Sequence, residues 1–264
     1  MSDPSRHPDH WHSLDDASLA SELARVAGEM LVAHRDTLVE RGTTVWQLRD
    51  SGDLLSHHFL MDALGTFRPG DSVLSEEGVD DRRRLAAERV WIVDPLDGTN
   101  EYGEGRGDWA VHVALWERGS LTAAAVSLPS IERVFATDPA TALPAAPAGK
   151  PRLVTSRTRA PYAAILVAEH LDCEAYRLGS AGAKAMSILM GEADIYVHDG
   201  GMYQWDSAAP AAVALASGLH ASRLDGSPLV YNGPDAWLPD FFVCRPEHAD
   251  GVLEALWGER RAPR

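Results

Sequence analysis

The sequence predicts a layered α/β fold, α+β in class, in which helices and sheets alternate through two sub-domains. Three observations predict it. Two helix-length amphipathic stretches open the chain, and short β-rich runs separated by tight turns follow them. Beyond a Pro- and Ala-rich segment, strand and helix patterns alternate, as expected of an α/β layer. The boundaries read as a flexible tail over 1–12, a first sub-domain over 13–140, a connection over 141–151 and a second sub-domain over 152–264.

The tail carries His7, His10 and His12. These could capture a metal, although loose terminal residues are the more usual explanation. A helix is expected over 15–38, where Leu19, Leu23, Val26 and Met30 recur at helical spacing and Ser13 or Asp15 can cap the start. A second is expected over 53–67 with Asp53 as its cap, ended by Pro69 and Gly70. A short apolar stretch at 72–74 precedes Glu76 and Glu77. Strands are expected at 89–93, 109–117, 121–128 and 133–137, forming an antiparallel sheet. The segment 138–151 lacks periodicity. After it come strand 153–156, helix 160–171, strand 175–178, helix 181–190, strand 193–197, helix 207–217, strand 241–245 and helix 246–257.

The 264 residues carry 24 Lys+Arg against 39 Asp+Glu, a formal net charge of −15. So acidic a chain is a poor binder of nucleic acid polymers. A phosphorylated small molecule can bind only if positive charge, such as metal ions, lies between the two sets of negative charge. No apolar run approaches the roughly 20 residues that span a bilayer, and the polar start lacks the apolar segment of a signal peptide. The two cysteines, Cys173 and Cys244, form no framework, so a cytoplasmic location is expected.

The chemistry concentrates in acidic elements. Asp94-Pro95-Leu96-Asp97-Gly98-Thr99 follows a strand, and Pro95 is expected to take the chain out of the sheet there. Asp94 and Asp97 can then converge on one point, and the Gly98 and Thr99 amides can receive a phosphate. Two hard oxygen ligands beside an anion-binding turn suit a magnesium-dependent phosphoryl site. A plain turn is the competing reading, since Asp, Pro and Gly are all common in turns. Glu76-Glu77 reads as solvated surface unless one side chain turns inward. Trp205-Asp206-Ser207-Ala208-Ala209 opens a helix with Asp206 at the cap position. Asp53 taken alone is another cap. The remaining histidines, His112 among them, are assigned no catalytic role.

Together and in this order, Asp53, Glu76-Glu77, Asp94 to Thr99 and Trp205 to Ala209 resemble the lithium-sensitive, magnesium-dependent phosphatases that include inositol monophosphatase and fructose-1,6-bisphosphatase. The resemblance covers nearly the whole chain. The stretches at 179–186, 205–210 and 220–232 are most similar to the CysQ-type 3′(2′),5′-bisphosphate nucleotidases of actinobacteria. The resemblance implies a layered αβαβα sugar-phosphatase-like fold and two or three Mg²⁺ ions per site. Glu76, Asp94 and the Leu96 carbonyl would hold the first ion. Asp94, Asp97 and Asp206 would hold the second, with Asp53 the ligand of a third. Thr99, with Asp53 or Glu76, would orient and deprotonate a water, while Gly98 and Thr99 hold the phosphate. Gly179, Ser180 and Lys184 would meet a second phosphate, although a lysine lying along a helix is the competing reading. Asp199 would bind a sugar hydroxyl or merely sit in its turn.

The implied activity is hydrolysis of the 3′-phosphate of 3′-phosphoadenosine 5′-phosphate, extending to its sulfated analogue and linked to sulfate assimilation. Inositol 1-phosphate or fructose 1,6-bisphosphate is the alternative substrate. Dimers are common in that family. The run LRDSGD departs from its pattern, placing Ser51 and Arg49 where relatives carry a threonine and, further back, a lysine.

Overall fold

A computed structural model describes residues 8–158 and 160–258. Helices α1 (Asp16–Glu40) and α2 (Val45–Phe67) come first. Strands β1 (Ser72–Ser75) and β2 (Arg89–Asp97) follow. After them come the short helix α3 (Thr99–Gly103) and strands β3 (Ala110–Glu117), β4 (Ser120–Leu128) and β5 (Arg133–Ala136). The second half runs β6 (Arg152–Ser156), α4 (Tyr162–His170), β7 (Glu174–Leu178), α5 (Ala181–Leu189) and β8 (Ile195–Tyr203). It closes with α6 (Gln204–Ala216), β9 (His220–Ser222), β10 (Trp237–Cys244) and α7 (Ala249–Trp257).

The strands form two five-stranded sheets, ordered β1-β2-β3-β4-β5 and β7-β6-β8-β10-β9. Alternation along each strand gives every sheet two apolar faces, and three clusters fill the gaps. Trp91, Val93, Val111 and Val113 face α1 and α2 with Leu23, Leu31 and Leu60. Ile92, Ala114 and Val126 on the opposite face meet Met186 of α5, Val213 of α6 and Phe241 of the second sheet. Leu153, Ile195 and Phe242 cover α4 and α7 through Val167 and Val252. The result is the expected αβαβα layering, with α5 and α6 sandwiched between the sheets.

Several local expectations need correction. The tail is packed at its end: Asp9–Ser13 forms a 3-10 turn. Trp11 there is 1% exposed, with its ring 5.6 Å from that of Phe67. The His12 ring meets that of Phe67, and His7 lies outside the described residues. Helix α2 starts two turns early, at a capping box in which Thr44 and Gln47 satisfy each other's backbone amides. Such a cap is worth about 1 kcal/mol. Asp53 is therefore a mid-helix residue and not a cap. The first sheet is mixed, because β1 pairs parallel to β2.

Pro95 does not end β2. The strand runs on to Asp97, with its register to β3 shifted between Asp94 and Asp97. β1 stops opposite Val93, so the missing Pro95 N–H faces no ladder there. Strand β9 has only three residues, too short for an alternating pattern to mark it in the sequence.

Candidate active site

The site gathers where β2 leaves the sheet, over the starts of α5 and α6 and beside the middle of α2. Its turning point is Gly98, at φ +92° and ψ 44°. A Cβ there would stand 3.0 Å from Ser180 Cβ and 3.2 Å from Trp109 Cβ. Only glycine takes that conformation in that space without strain. The turn brings the Thr99 hydroxyl 3.1 Å from Asp53 Oδ1 and 3.2 Å from the Leu96 carbonyl. Residues 46 apart in sequence thus meet around one hydroxyl.

Asp94 and Asp97, three residues apart on the bulged strand end, have different surroundings. Asp94 is 1% exposed, and its Oδ1 accepts the Leu96 amide at 3.0 Å. Burial, then the charges of Glu76, Asp97 and Asp206, raises its pKa well above the ordinary value. It shares a hydrogen bond with the Glu76 carboxyl. Glu76 keeps exposed surface, yet protein packed around its carboxyl takes water from it. Loss of water, followed by the charge of Asp206, raises it too. Asp206 is raised by burial and then by Asp97. Asp53 is pushed up to about 7, chiefly by burial and against its hydrogen bond from Thr99, with Glu77 and Asp50 adding to the rise.

Asp97 is the exception. Its Oδ1 accepts the Ala181 amide at 3.1 Å and its Oδ2 the Gly182 amide at 2.6 Å, both at the start of α5. His112 Nε2 stands 3.1 Å from Oδ2 in an ion pair, oblique to a good hydrogen bond. Burial raises the Asp97 carboxyl, but the His112 charge and hydrogen bonds outweigh it, and the pKa lies below its ordinary value. The His112 pKa moves up against its own burial, drawn by Asp97. His112 Nδ1 is also 3.1 Å from the Trp205 carbonyl, so this fully buried imidazole ties β3 to the start of α6. Sequence reasoning passed it over. Strand alternation was the available signal, since it sets His112 on the inward face with Ala110 and Ala114.

Other expected site residues are placed differently. Asp206 is the third residue of α6, not its cap; its Oδ2 accepts the Tyr203 amide at 2.7 Å. Lys184 is 4% exposed. Its Nζ donates to the Gly179 carbonyl, and to that of Ser180 at 2.8 Å. Burial lowers its pKa to about 8. It braces the 179–180 loop from beneath and does not reach outward for a phosphate. The Gly179 amide is taken by Asp108 Oδ2 at 2.7 Å, and the Ser180 hydroxyl accepts the Ala183 amide at 2.9 Å. Asp199 Oδ2 accepts the Ala163 amide at 2.8 Å, capping α4.

Asp53, Glu76, Asp94 and Asp206 are all raised, and each is influenced by one or more other acids. A group of oxygen donors that resists ionising together, with a backbone carbonyl beside it, is a fitting donor set for hard divalent cations. Among the described residues, no three His, Cys, Asp or Glu side chains are already set around one ligand point. The fit therefore rests on donor chemistry and on this mutual crowding.

Comparison with known proteins decides the family. The model of the inositol monophosphatase family matches residues 15–260. The chain belongs to the inositol monophosphatase family. It is 47% identical to a 3′-phosphoadenosine 5′-phosphate phosphatase of Mycobacterium leprae, over 94% of this chain and 97% of that one. A protein of the same name from Mycobacterium bovis is 50% identical, covering 80% and 82%. Among solved structures, CysQ from Bacteroides thetaiotaomicron superposes with a TM-score of 0.74 at 24% identity, covering 87% and 97%. SuhB of Mycobacterium tuberculosis gives 0.69 at 23%, covering 91% and 94%. At those identities the structural likeness speaks for the fold, which this family member shares.

Proposed function

We propose that the chain is a Mg²⁺-dependent phosphoric monoester hydrolase. It removes the 3′-phosphate of 3′-phosphoadenosine 5′-phosphate to give AMP and phosphate. The likeness to the named mycobacterial phosphatase supports this most strongly, because it spans 94% of the chain and so takes in every acidic element of the site.

Glu76, Asp94, the Leu96 carbonyl, Asp97 and Asp206 would hold Mg²⁺, with Asp53 for a further ion, and the metal would supply counter-charge for phosphate and acidify water. The chain's own groups do the rest. Thr99 donates its hydroxyl hydrogen to Asp53 or to the Leu96 carbonyl, so its oxygen lone pairs stay free to accept a hydrogen bond from a water and fix its direction. Asp53, pushed up to about 7, is in its carboxylate form basic enough to take the proton of that water near neutral pH, which is what a general base does. Glu76 is the second candidate for that role. The Gly98 and Thr99 amides hold the phosphate facing this water. No residue here is placed for a phospho-enzyme, so water attacks directly.

Phosphate release from adenosine 3′,5′-bisphosphate, inositol 1-phosphate and fructose 1,6-bisphosphate tests the reading. The nucleotide is expected to show the highest kcat/KM, and Li⁺ is expected to inhibit. Equal or faster turnover of inositol 1-phosphate would transfer the assignment to that substrate.

A further inference from the structure

A bisphosphate nucleotide needs cationic donors for the phosphate that is not cleaved. Lys184 is occupied by carbonyls from the 179–180 loop, so the second phosphate must find its charge elsewhere. Two arginines from opposite halves of the chain converge beside the catalytic turn. Arg157 follows β6. Its Nη2 lies 2.7 Å from Glu104 Oε2 and 3.0 Å from Glu101 Oε1. Arg49 sits on α2, one helical turn before Asp53, and its Nη2 is 3.8 Å from Glu104 Oε1. Glu104 directly follows α3 and its side chain is 40% exposed.

The Arg49 side of this arrangement is under-satisfied. Its Nε is buried with no hydrogen-bond partner, and 3.8 Å is too long for a hydrogen bond to Glu104. The guanidinium is held in place regardless. It packs against the Gly103 backbone, where a Cβ would come within 2.7 Å of Arg49 Cγ, and it lies 5.4 Å from the Trp46 ring. Glu104 thus holds Arg157 closely and Arg49 only at long range, while Glu101 also takes Arg157 Nε at 3.1 Å; the unfilled donors are on the Arg49 side, where a dianion with more acceptor oxygens could serve both arginines. One turn of helix, about 5.4 Å, separates the Arg49 and Asp53 positions.

The geometry points to Arg49 and Arg157 as the subsite for the second phosphate, with Glu104 the resident anion that the phosphate displaces. This rests on the nucleotide reading above and names the residues that would give it selectivity. Two arginine forks on one phosphate also explain why Arg, rather than the point charge of Lys, occupies both positions.

The test compares adenosine 3′,5′-bisphosphate with adenosine 3′-monophosphate, which lacks the second phosphate. For Arg157→Gln and Arg49→Gln, kcat/KM is expected to fall at least tenfold more on the bisphosphate than on the monophosphate, mainly through KM. Arg157→Lys should recover part of that loss. Glu104→Gln removes the competing carboxylate without touching the arginines, and should lower the bisphosphate KM severalfold. Arginine variants that keep the wild-type ratio of the two substrates, or lose equally on both, overturn the subsite. So does a Glu104→Gln protein with a raised bisphosphate KM. A wild-type enzyme indifferent to the second phosphate would instead refute the nucleotide reading itself.

Discussion

The two ends of the β2 bulge hold their carboxylates by opposite means. At Asp97 the protein supplies every partner: two amides of α5 and the buried His112. At Asp94 it supplies one amide and surrounds the group with other acids. Asp97 therefore keeps its charge on its own account, whereas burial and neighbouring acids push Asp94, Glu76, Asp206 and Asp53 toward their protonated forms. One carboxylate is satisfied by the fold, and the others are left crowding one another.

Asp94→Asn gives the largest expected effect. Activity should fall about a thousandfold or more, as when a principal electrostatic group is removed. In Mg²⁺-free buffer the melting temperature should hold or rise, because a source of repulsion is gone. A variant that is both inactive and strongly destabilised would break the contrast with Asp97. Asp97→Asn should do the reverse to stability, costing about 3 kcal/mol in urea unfolding because it strips a buried imidazole of its partner.

The pH dependence sharpens the same contrast. A carboxyl raised by folding binds its proton more tightly in the native state. The stability it confers is complete below the unfolded value and is lost as pH rises through the folded one. For Asp53 that window runs from 3.8 to about 7, and Glu76, Asp94 and Asp206 shift in the same direction. Mg²⁺ competes with those protons, so the rise in melting temperature on adding Mg²⁺ should be larger at pH 8 than at pH 5 by several degrees. A pH-independent rise would mean that the raised acids do not receive the ion. The smallest effect is expected at Asp199→Ala, which removes the α4 cap for about 1 kcal/mol. Thermal unfolding should detect it, with no change in preference between the bisphosphate and monophosphate nucleotides.

The layers were legible because they depend on periodicity that the chain repeats over many residues. The acids that raise one another were legible as well, since DPLDGT, the paired glutamates and WDxxA are local strings. What the string hides is how each residue is used. Asp53 and Asp206 both look like caps, but a cap depends on where the helix begins. For α2 the deciding signal, Thr44 three residues before Gln47, lies upstream of where the apolar pattern draws the eye. Pro95 looks like a strand end because it lacks a donor, yet the neighbouring strand β1 has already stopped opposite Val93. Lys184 has the residue type of a phosphate ligand. Only the fold shows that two carbonyls hold its amine from below.

The bond from Asp97 to the first amides of α5 carries a mechanical consequence. It joins a strand of one sheet to a helix whose chain belongs to the other, across 84 and 85 residues of sequence. The Ala181 and Gly182 amide protons can exchange with solvent only when that carboxylate lets go, so their exchange reads how tightly this point joins the two halves.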